Sequence, residues 1–384
     1  MLVTIAGQQR LLWPYEKEAN WLLLGTAALL VIGLLAMGSA SVEYAVQTYG
    51  NAFSFVQRYL FHFALGTLAA IVVYRFPMTF WQRTGWMWLL FGLFLLAAVL
   101  IPGIGRSTNG ARRWLAFGPL TLQISEFAKV FVIFYLADYL VRRHDEVRSQ
   151  WSGFVKPMAV VFMVTLLLMM EPDFGATVVT VGTAFGLLFL AGVRISQFML
   201  VILSCASAFA LLIFTSPYRK ARLIGFTDPW ADQYKTGYQL TQSLIAFGRG
   251  EWLGVGLGNS VQKLSYLPEA HTDFVFAIWS EEFGLIGALL VLALFATVVL
   301  SMFRIGRRAE KTGKLFSAFV VYGAALLLSA QIFINIGVNI GLLPTKGLTL
   351  PFLSYGGSSL IVCLILIALV LRVDGETRGR FSDD

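Results

Sequence analysis

Ten separate runs of apolar residues punctuate the chain, and no other feature limits its fold so strongly. They lie approximately at Ala19–Ala40, Phe55–Tyr74, Gly85–Ile101, Leu122–Val141, Lys156–Met170, Phe174–Ala191, Ile195–Thr215, Phe274–Met302, Phe316–Leu343 and Ser358–Leu371. A helix needs roughly 20 such residues to cross a bilayer, and only helices or closed barrels satisfy their backbone groups there. The spacing therefore predicts an all-α polytopic membrane protein of about ten transmembrane helices, one integral membrane domain over residues 1–384. Composition agrees, at 58% apolar and 13% charged residues. Those proportions exclude an ordinary soluble enzyme and a disordered chain. The first run is too long for a signal-peptide core and no small-residue cleavage site follows it, so it reads as a retained span.

The net charge of +8 reads as positive-inside loops, not as a nucleic-acid surface. Arg142, Arg143, Arg148 and Lys156 follow the fourth run. Arg304, Arg307, Arg308, Lys311 and Lys314 follow the eighth, and Arg372, Arg378 and Arg380 the tenth. These loops are expected in the cytoplasm with both termini. Two outer loops break the rule. Pro102–Thr121 carries Arg106, Arg112 and Arg113, and the loop at 216–272, between the seventh and eighth runs, is the longest polar stretch. A loop of that length usually has a task. Leu240, Leu244 and Phe247 within Tyr238–Gly248 predict a short helix lying at the membrane surface. The polar tail Asp374–Asp384 is expected to be mobile.

Polar residues at membrane depth are costly and need partners or water. Gln123, Glu126 and Lys129 open the fourth span on one face, as a structural ion pair or a functional one. His271, Thr272 and Asp273 open the eighth, and Asp273 reads either as a helix cap or as a reactive carboxylate. Glu281 and Glu282, roughly 12 Å further along, read as buried structural partners of other spans. Gln331, Asn335 and Asn339 form a stripe that either packs helices or lines a polar cavity. Lys346, in the Gly- and Pro-rich last outer loop, either snorkels at the surface or serves the site. Gly254-Val255-Gly256-Leu257-Gly258 lacks the frame of a nucleotide loop. His62, His144 and His271 are too scattered for zinc. The two cysteines, Cys205 and Cys363, lie in apolar runs and read as packing residues.

With these residues in view, the sequence resembles the SEDS family of bacterial peptidoglycan polymerases. The stretch from Gly237-Tyr238-Gln239-Leu240-Thr241-Gln242-Ser243 through Pro268-Glu269-Ala270-His271-Thr272-Asp273-Phe274 carries most of the likeness. Asn109-Gly110-Ala111-Arg112-Arg113-Trp114, Glu171-Pro172-Asp173-Phe174-Gly175 and Gly341-Leu342-Leu343-Pro344-Thr345-Lys346-Gly347 add to it. Gly258–Leu264 followed by Leu267–Ala270 is closer to the division branch of the family than to the elongation branch. Glu171 stands where the family more often has Gln.

The resemblance implies a glycosyltransferase of the inner membrane, acting on its periplasmic face at the division septum. It would polymerise lipid II and release undecaprenyl pyrophosphate. Asp273 matches the family's essential aspartate, with Arg113, Lys129, Lys346, Glu126, Asn109, His271 and Gln242 as expected substrate contacts. A divalent cation, magnesium or manganese, could share the pyrophosphate charge, and no organic cofactor is expected. Lys129 is expected to hold Asp273 at rest and turn to the pyrophosphate when donor binds. The implied partners are a class B penicillin-binding protein, a septal transpeptidase meeting the outer ends of spans eight and nine with the long loop, and other membrane proteins of the division apparatus. On pattern alone a lipid II flippase competes with this reading, and a non-catalytic scaffold is the third possibility.

Overall fold

The computed structural model describes residues 2–5, 8–11, 16–108, 111–118, 120–199, 203, 226, 228–231, 233–235, 237–344 and 347–379. A short antiparallel pair, β1 (Leu2–Ile5) and β2 (Gln8–Leu11), precedes the bundle. Then come α1 (Glu16–Tyr49), α2 (Ser54–Arg75) and α3 (Met78–Leu100), followed by the strands β3 (Gly105–Thr108), β4 (Ala111–Phe117) and β5 (Leu120–Gln123). Helices α4 (Ile124–Arg142), α5 (His144–Ser149), α6 (Trp151–Met170) and α7 (Phe174–Leu190) follow. The rest is α8 (Tyr238–Gly250), α9 (Val275–Lys311), α10 (Leu315–Asn339) and α11 (Gly357–Thr377).

The chain is a polytopic all-α membrane protein. Among the described residues seven helices are long and apolar enough to cross a bilayer: α1, α2, α3, α6, α9, α10 and α11. The fourth and sixth predicted spans are also helices, but α4 carries Glu126, Lys129 and Asp138, and α7 has only 17 residues. The seventh predicted span, Ile195–Thr215, falls largely outside the described residues. Large side chains point outward along the peripheral helices, Leu24, Phe94 and Phe162 among them at over 60% exposure, as a lipid-facing surface allows. Helices α10 and α11 are mostly buried at the centre. Lipid supplies no hydrophobic drive between helices, so close packing must hold them together. Gly85 and Gly92 of α3 accordingly receive Phe134 and Phe131 of α4.

Three sequence expectations change. The stretch read as an outer loop, Pro102–Thr121, holds an antiparallel sheet in the order β3-β4-β5. Strand alternation turns Arg113 and Leu115 of β4 inward while Arg112 and Ala116 face out. The helix expected at the membrane surface, α8, is part of the bundle. Its Leu240, Thr241, Ser243 and Ala246 are buried, and Ser243 Oγ donates to Asn339 O at 2.7 Å. The tail does not begin at Asp374. That residue is buried in the last turn of α11 and pairs with Arg308 at 2.7 Å and Arg378 at 2.8 Å. Arg308 also binds Glu18 at the start of α1. The first turn of α1, the last turn of α11 and the end of α9 therefore meet at one end of the bundle, opposite Asp273.

Helix α9 has 37 residues, about 55 Å at 1.5 Å each, well beyond a hydrocarbon core of about 30 Å. It breaks at Gly284, whose φ of 65° and ψ of −164° are not helical. The apolar Leu285–Phe303 beyond the break is long enough to cross alone. The two turns before it carry Glu281 and Glu282, whose partners come mainly from the long loop. Glu281 accepts from Ser260 Oγ at 2.5 Å, Val261 N at 3.2 Å and Gln262 N at 3.3 Å, with Arg249 at 3.5 Å. Glu282 accepts from Lys263 Nζ at 2.8 Å and from Ser39 Oγ of α1 at 2.7 Å. The two carboxylates staple residues 249–263 to the bundle.

Candidate active site

Two aspartates stand at helix starts, and only one is used by its helix. Asp173 caps α7, accepting Ala176 N at 3.1 Å through Oδ1. Its Oδ2 takes Ser125 Oγ at 2.9 Å and Gln123 Nε2 at 3.3 Å. Asp273 precedes α9, which has no side-chain cap, so the capping explanation of Asp273 fails. Its backbone is what the fold holds. Asn335 and Asn339 of α10 both donate to Asp273 O at 2.9 Å, and Asn339 Oδ1 accepts Ala277 N at 3.2 Å. Asn335 also donates to Leu348 O at 2.6 Å. Two of the three residues in the polar stripe therefore pack helices. The third, Gln331, is buried with no partner for Nε2 among the described residues.

The Asp273 carboxyl carries no hydrogen bond among the described residues. It lies against the backbone of Gly347, where an added Cβ would come within 2.9 Å of Oδ2. Any side chain at 347 would crowd it. Burial pushes its pKa from 3.8 up to about 7, the Glu269 charge adds to the rise, and Arg113 opposes it.

Arg113 reaches from β4 to the turn between α6 and α7. Its Nε donates to Glu171 O at 3.3 Å, its Nη2 donates to Pro172 O, and Nη1 lies 4.0 Å from Asp173 Oδ1. Glu171 is wholly buried and neither carboxyl oxygen has a partner among the described residues. Burial, then the charge of Asp173, pushes it to about 8 against the pull of Arg113. One guanidinium thus bears on both Glu171 and Asp273.

Lys129 is 1% exposed and its Nζ binds Glu126 Oε1 at 2.7 Å. That pair was legible from the three-residue spacing, but the resting Lys129–Asp273 pair is not formed. With no lysine bonded to it among the described residues, Asp273 follows desolvation upward. Lys129→Met would strand the Glu126 charge, at a cost of about 3–5 kcal/mol. The double variant Glu126→Gln/Lys129→Met should recover most of that loss in detergent melting curves. Loss of activity in the folded double variant would then report on chemistry instead of stability.

His271 stacks on Tyr44 at 5.2 Å and meets Phe55 edge-on at 4.7 Å, while its carbonyl accepts Tyr355 N at 2.9 Å. Burial lowers its pKa, so the ring is neutral at pH 7. Gln242 is half-buried on α8. Asn109 and Lys346 lie outside the described residues. Among the described residues no three His, Cys, Asp or Glu side chains cluster as a metal site needs. Residues that sequence reasoning had given no role are Asp173, Glu171 and Glu269. The first two sit in the Glu-Pro-Asp-Phe-Gly motif, where an Asp directly before an apolar helix is itself a capping signal.

Residues 20–379 match the family model of the FtsW, RodA and SpoVE cell cycle proteins. The chain belongs to that family. Among FtsW/RodA/SpoVE relatives, the probable peptidoglycan glycosyltransferase FtsW of Hahella chejuensis is 54% identical over 364 residues, covering 94% of this chain and 92% of its own. The protein of that name from Pseudomonas fluorescens is 54% identical over 363 residues, covering 94% and 89%. In three dimensions the fold matches a chain from a peptidoglycan synthase complex that coordinates polymerization and crosslinking. There the TM-score is 0.78 at 27% identity, over 94% of this chain and 98% of that one. The rod shape determining protein RodA of Thermus thermophilus matches with a TM-score of 0.67 at 26% identity, over 94% and 97%.

Proposed function

We propose that this chain is a peptidoglycan glycosyltransferase that polymerises lipid II for septal wall synthesis, with Asp273 as its general base. The observation that carries the reading is the Asp273 carboxyl: half-buried, without a hydrogen bond among the described residues, and raised by desolvation to about 7 beside Arg113. A base works best when its pKa lies near the working pH, and contributes about 10²–10⁴-fold. The names of the relatives support the same chemistry.

In this reading the acceptor sugar's 4-hydroxyl gives its proton to Asp273 while its oxygen bonds to the donor's anomeric carbon. The bond from that carbon to the pyrophosphate oxygen breaks, and the electron pair leaves with undecaprenyl pyrophosphate. Among the described residues Arg113 is the cation best placed to take up the leaving group's charge. Lys346, Asn109 and Gln242 remain proposed substrate contacts, and His271 acts by holding the turn that presents Asp273. Lys129 and Glu126 form the neutralised wall of α4. A magnesium or manganese ion would supply charge neutralisation, carried in with the pyrophosphate, since magnesium needs only one or two carboxylates besides phosphate. Both termini then face the cytoplasm, and Asp273 opens to the periplasm, where the lipid tail of the donor stays in the bilayer.

The test is polymerisation of purified lipid II by the protein with its cognate transpeptidase, read as glycan strands on a gel. Wild type and a transpeptidase active-site variant should both make strands, and folded Asp273→Ala none. Equal strand synthesis by Asp273→Ala would overturn the assignment.

The transpeptidase, a class B penicillin-binding protein with one span, is proposed to pack between α9 and α10. An apolar groove of 290 Å³ runs there, lined by Leu292, Phe295, Val299, Ile332, Phe333 and Ile336. Ala296→Trp would fill it from an exposed position. Co-purification with the transpeptidase should weaken about tenfold, roughly 1.4 kcal/mol, with melting of the chain alone unchanged.

A further inference from the structure

A second cavity, of 580 Å³, lies between α1, α2 and α11, far from Asp273. Leu30, Phe63, Ile71 and Leu364 make most of its wall apolar, and Tyr74 and Arg75 stand among the residues at its α2 end. Its size falls in the range of about 300–1,000 Å³ typical of ligand sites. Two polar side chains among its lining residues are unused. Thr67 of α2 donates its hydroxyl to Phe63 O at 2.8 Å, as helix threonines commonly do. Thr26 of α1 does not: it is 5% exposed, and Oγ1 is buried with no hydrogen-bond partner among the described residues. Such a hydroxyl costs about 1–3 kcal/mol unless something meets it. Arg75 is exposed and makes no ion pair or hydrogen bond among the described residues.

Position along the helices sets the level of the groove. Ser39 of α1 touches Lys263 and Glu282 near the Asp273 end. Thr26 lies 13 residues earlier, about 20 Å toward the other end. There Arg372 donates to Tyr74 O at 3.3 Å and Glu376 accepts Met78 N at 2.9 Å, fixing the end of α2 and the start of α3 against the last turns of α11. The groove's cationic mouth is thus at the bundle end that carries Arg308 and Asp374, where a span leaves the hydrocarbon.

We propose that this groove binds an anionic glycerophospholipid from the leaflet opposite the Asp273 site. Its phosphate pairs with Arg75, an ester carbonyl accepts the Thr26 hydroxyl, and an acyl chain fills the wall between Leu30 and Phe63. Basic pockets between spans are known to take such head groups. A zwitterionic lipid gives Arg75 less net charge to pair with. A polyprenyl phosphate has the charge but no ester carbonyl for Thr26.

Native mass spectrometry of the full-length protein in detergent tests this, with phosphatidylglycerol, phosphatidylethanolamine and undecaprenyl phosphate offered at equal concentration. Phosphatidylglycerol should be retained about fivefold over phosphatidylethanolamine, the factor for one Arg near an anionic surface. Arg75→Gln should erase that preference and Arg75→Lys should keep it. Thr26→Val should lower phosphatidylglycerol retention, with the lipid-free melting temperature of each variant near wild type. Equal retention of the two phospholipids, displacement of phosphatidylglycerol by undecaprenyl phosphate, or a preference that survives Arg75→Gln would each overturn the proposal.

Discussion

Asp273→Asn is expected to take strand synthesis below detection on a gel while making the folded protein more stable at alkaline pH. Loss of the base alone removes about 10²–10⁴-fold. The substitution keeps the shape of the side chain, so its contact with Gly347 and the backbone bonds from Asn335 and Asn339 survive. A residue placed for structure would lose stability on substitution. This one should gain it.

The sign follows from linkage. The carboxyl titrates at 3.8 in the unfolded chain and at about 7 in the fold, chiefly through burial. Between those values the folded state holds the extra proton, so stability falls as pH rises. The contribution is fully present below pH 3.8 and gone once pH has passed about 7. Asn carries no such penalty, so detergent melting curves should coincide near pH 4 and separate in favour of the variant by pH 8. Catalysis runs the other way, because the base must be ionised. Wild-type polymerisation should rise through pH 7, and the residual rate of the variant should be flat. A wild-type rate unchanged between pH 6 and 8 would contradict Asp273 as the base.

What the residues revealed in advance was the local part of this arrangement. Nine of the ten predicted spans are helices among the described residues, because a long apolar run has few alternatives in a bilayer. The Glu126–Lys129 pair needs only a three-residue spacing on one helix. Arg113 meets Glu171, Pro172 and Asp173 from 58 to 60 residues away in the chain, and no local pattern announces that. The sheet β3-β4-β5 was hidden because its strands are short and its charged residues read as loop. Glu281 and Glu282 read as buried partners of other spans, which holds for Ser39 of α1, but their remaining partners lie in the long loop, too far along the chain for a local pattern to show. Resemblance singled out Asp273 as reactive. Its unused cap position and its high pKa are properties of the fold alone.

The break in α9 is the other place where a single atom should have a large effect. Gly284→Ala is expected to destabilise the protein by more than about 4 kcal/mol, which single substitutions reach only through a few mechanisms. With φ of 65° and ψ of −164°, Gly284 occupies a region that is essentially glycine-only. An added Cβ would also sit 2.5 Å from Gly254 N and 2.6 Å from Leu253 N, backbone atoms that cannot step aside singly. They are close because the loop completes the helix. Val255 N and Gly256 N donate to Glu281 O and Glu282 O at 3.0 Å, while Leu285 N and Ile286 N donate to Glu251 O at 2.9 Å and Trp252 O at 3.2 Å. Pushing the loop away strands several of these groups, each costing about 1–3 kcal/mol when left buried. It also pulls on Glu281 and Glu282, which anchor residues 260–263. Melting in detergent should fall by about 10 °C or more, and proteolysis should appear first within 249–263. Gly248→Ala is the control, since its Cβ would meet nothing within 4 Å and helix propensity favours Ala by about 1 kcal/mol. If Gly284→Ala melts with Gly248→Ala, the loop does not depend on the break. If it melts early and also loses strand synthesis, the turn that presents Asp273 is held from eleven residues further along the chain.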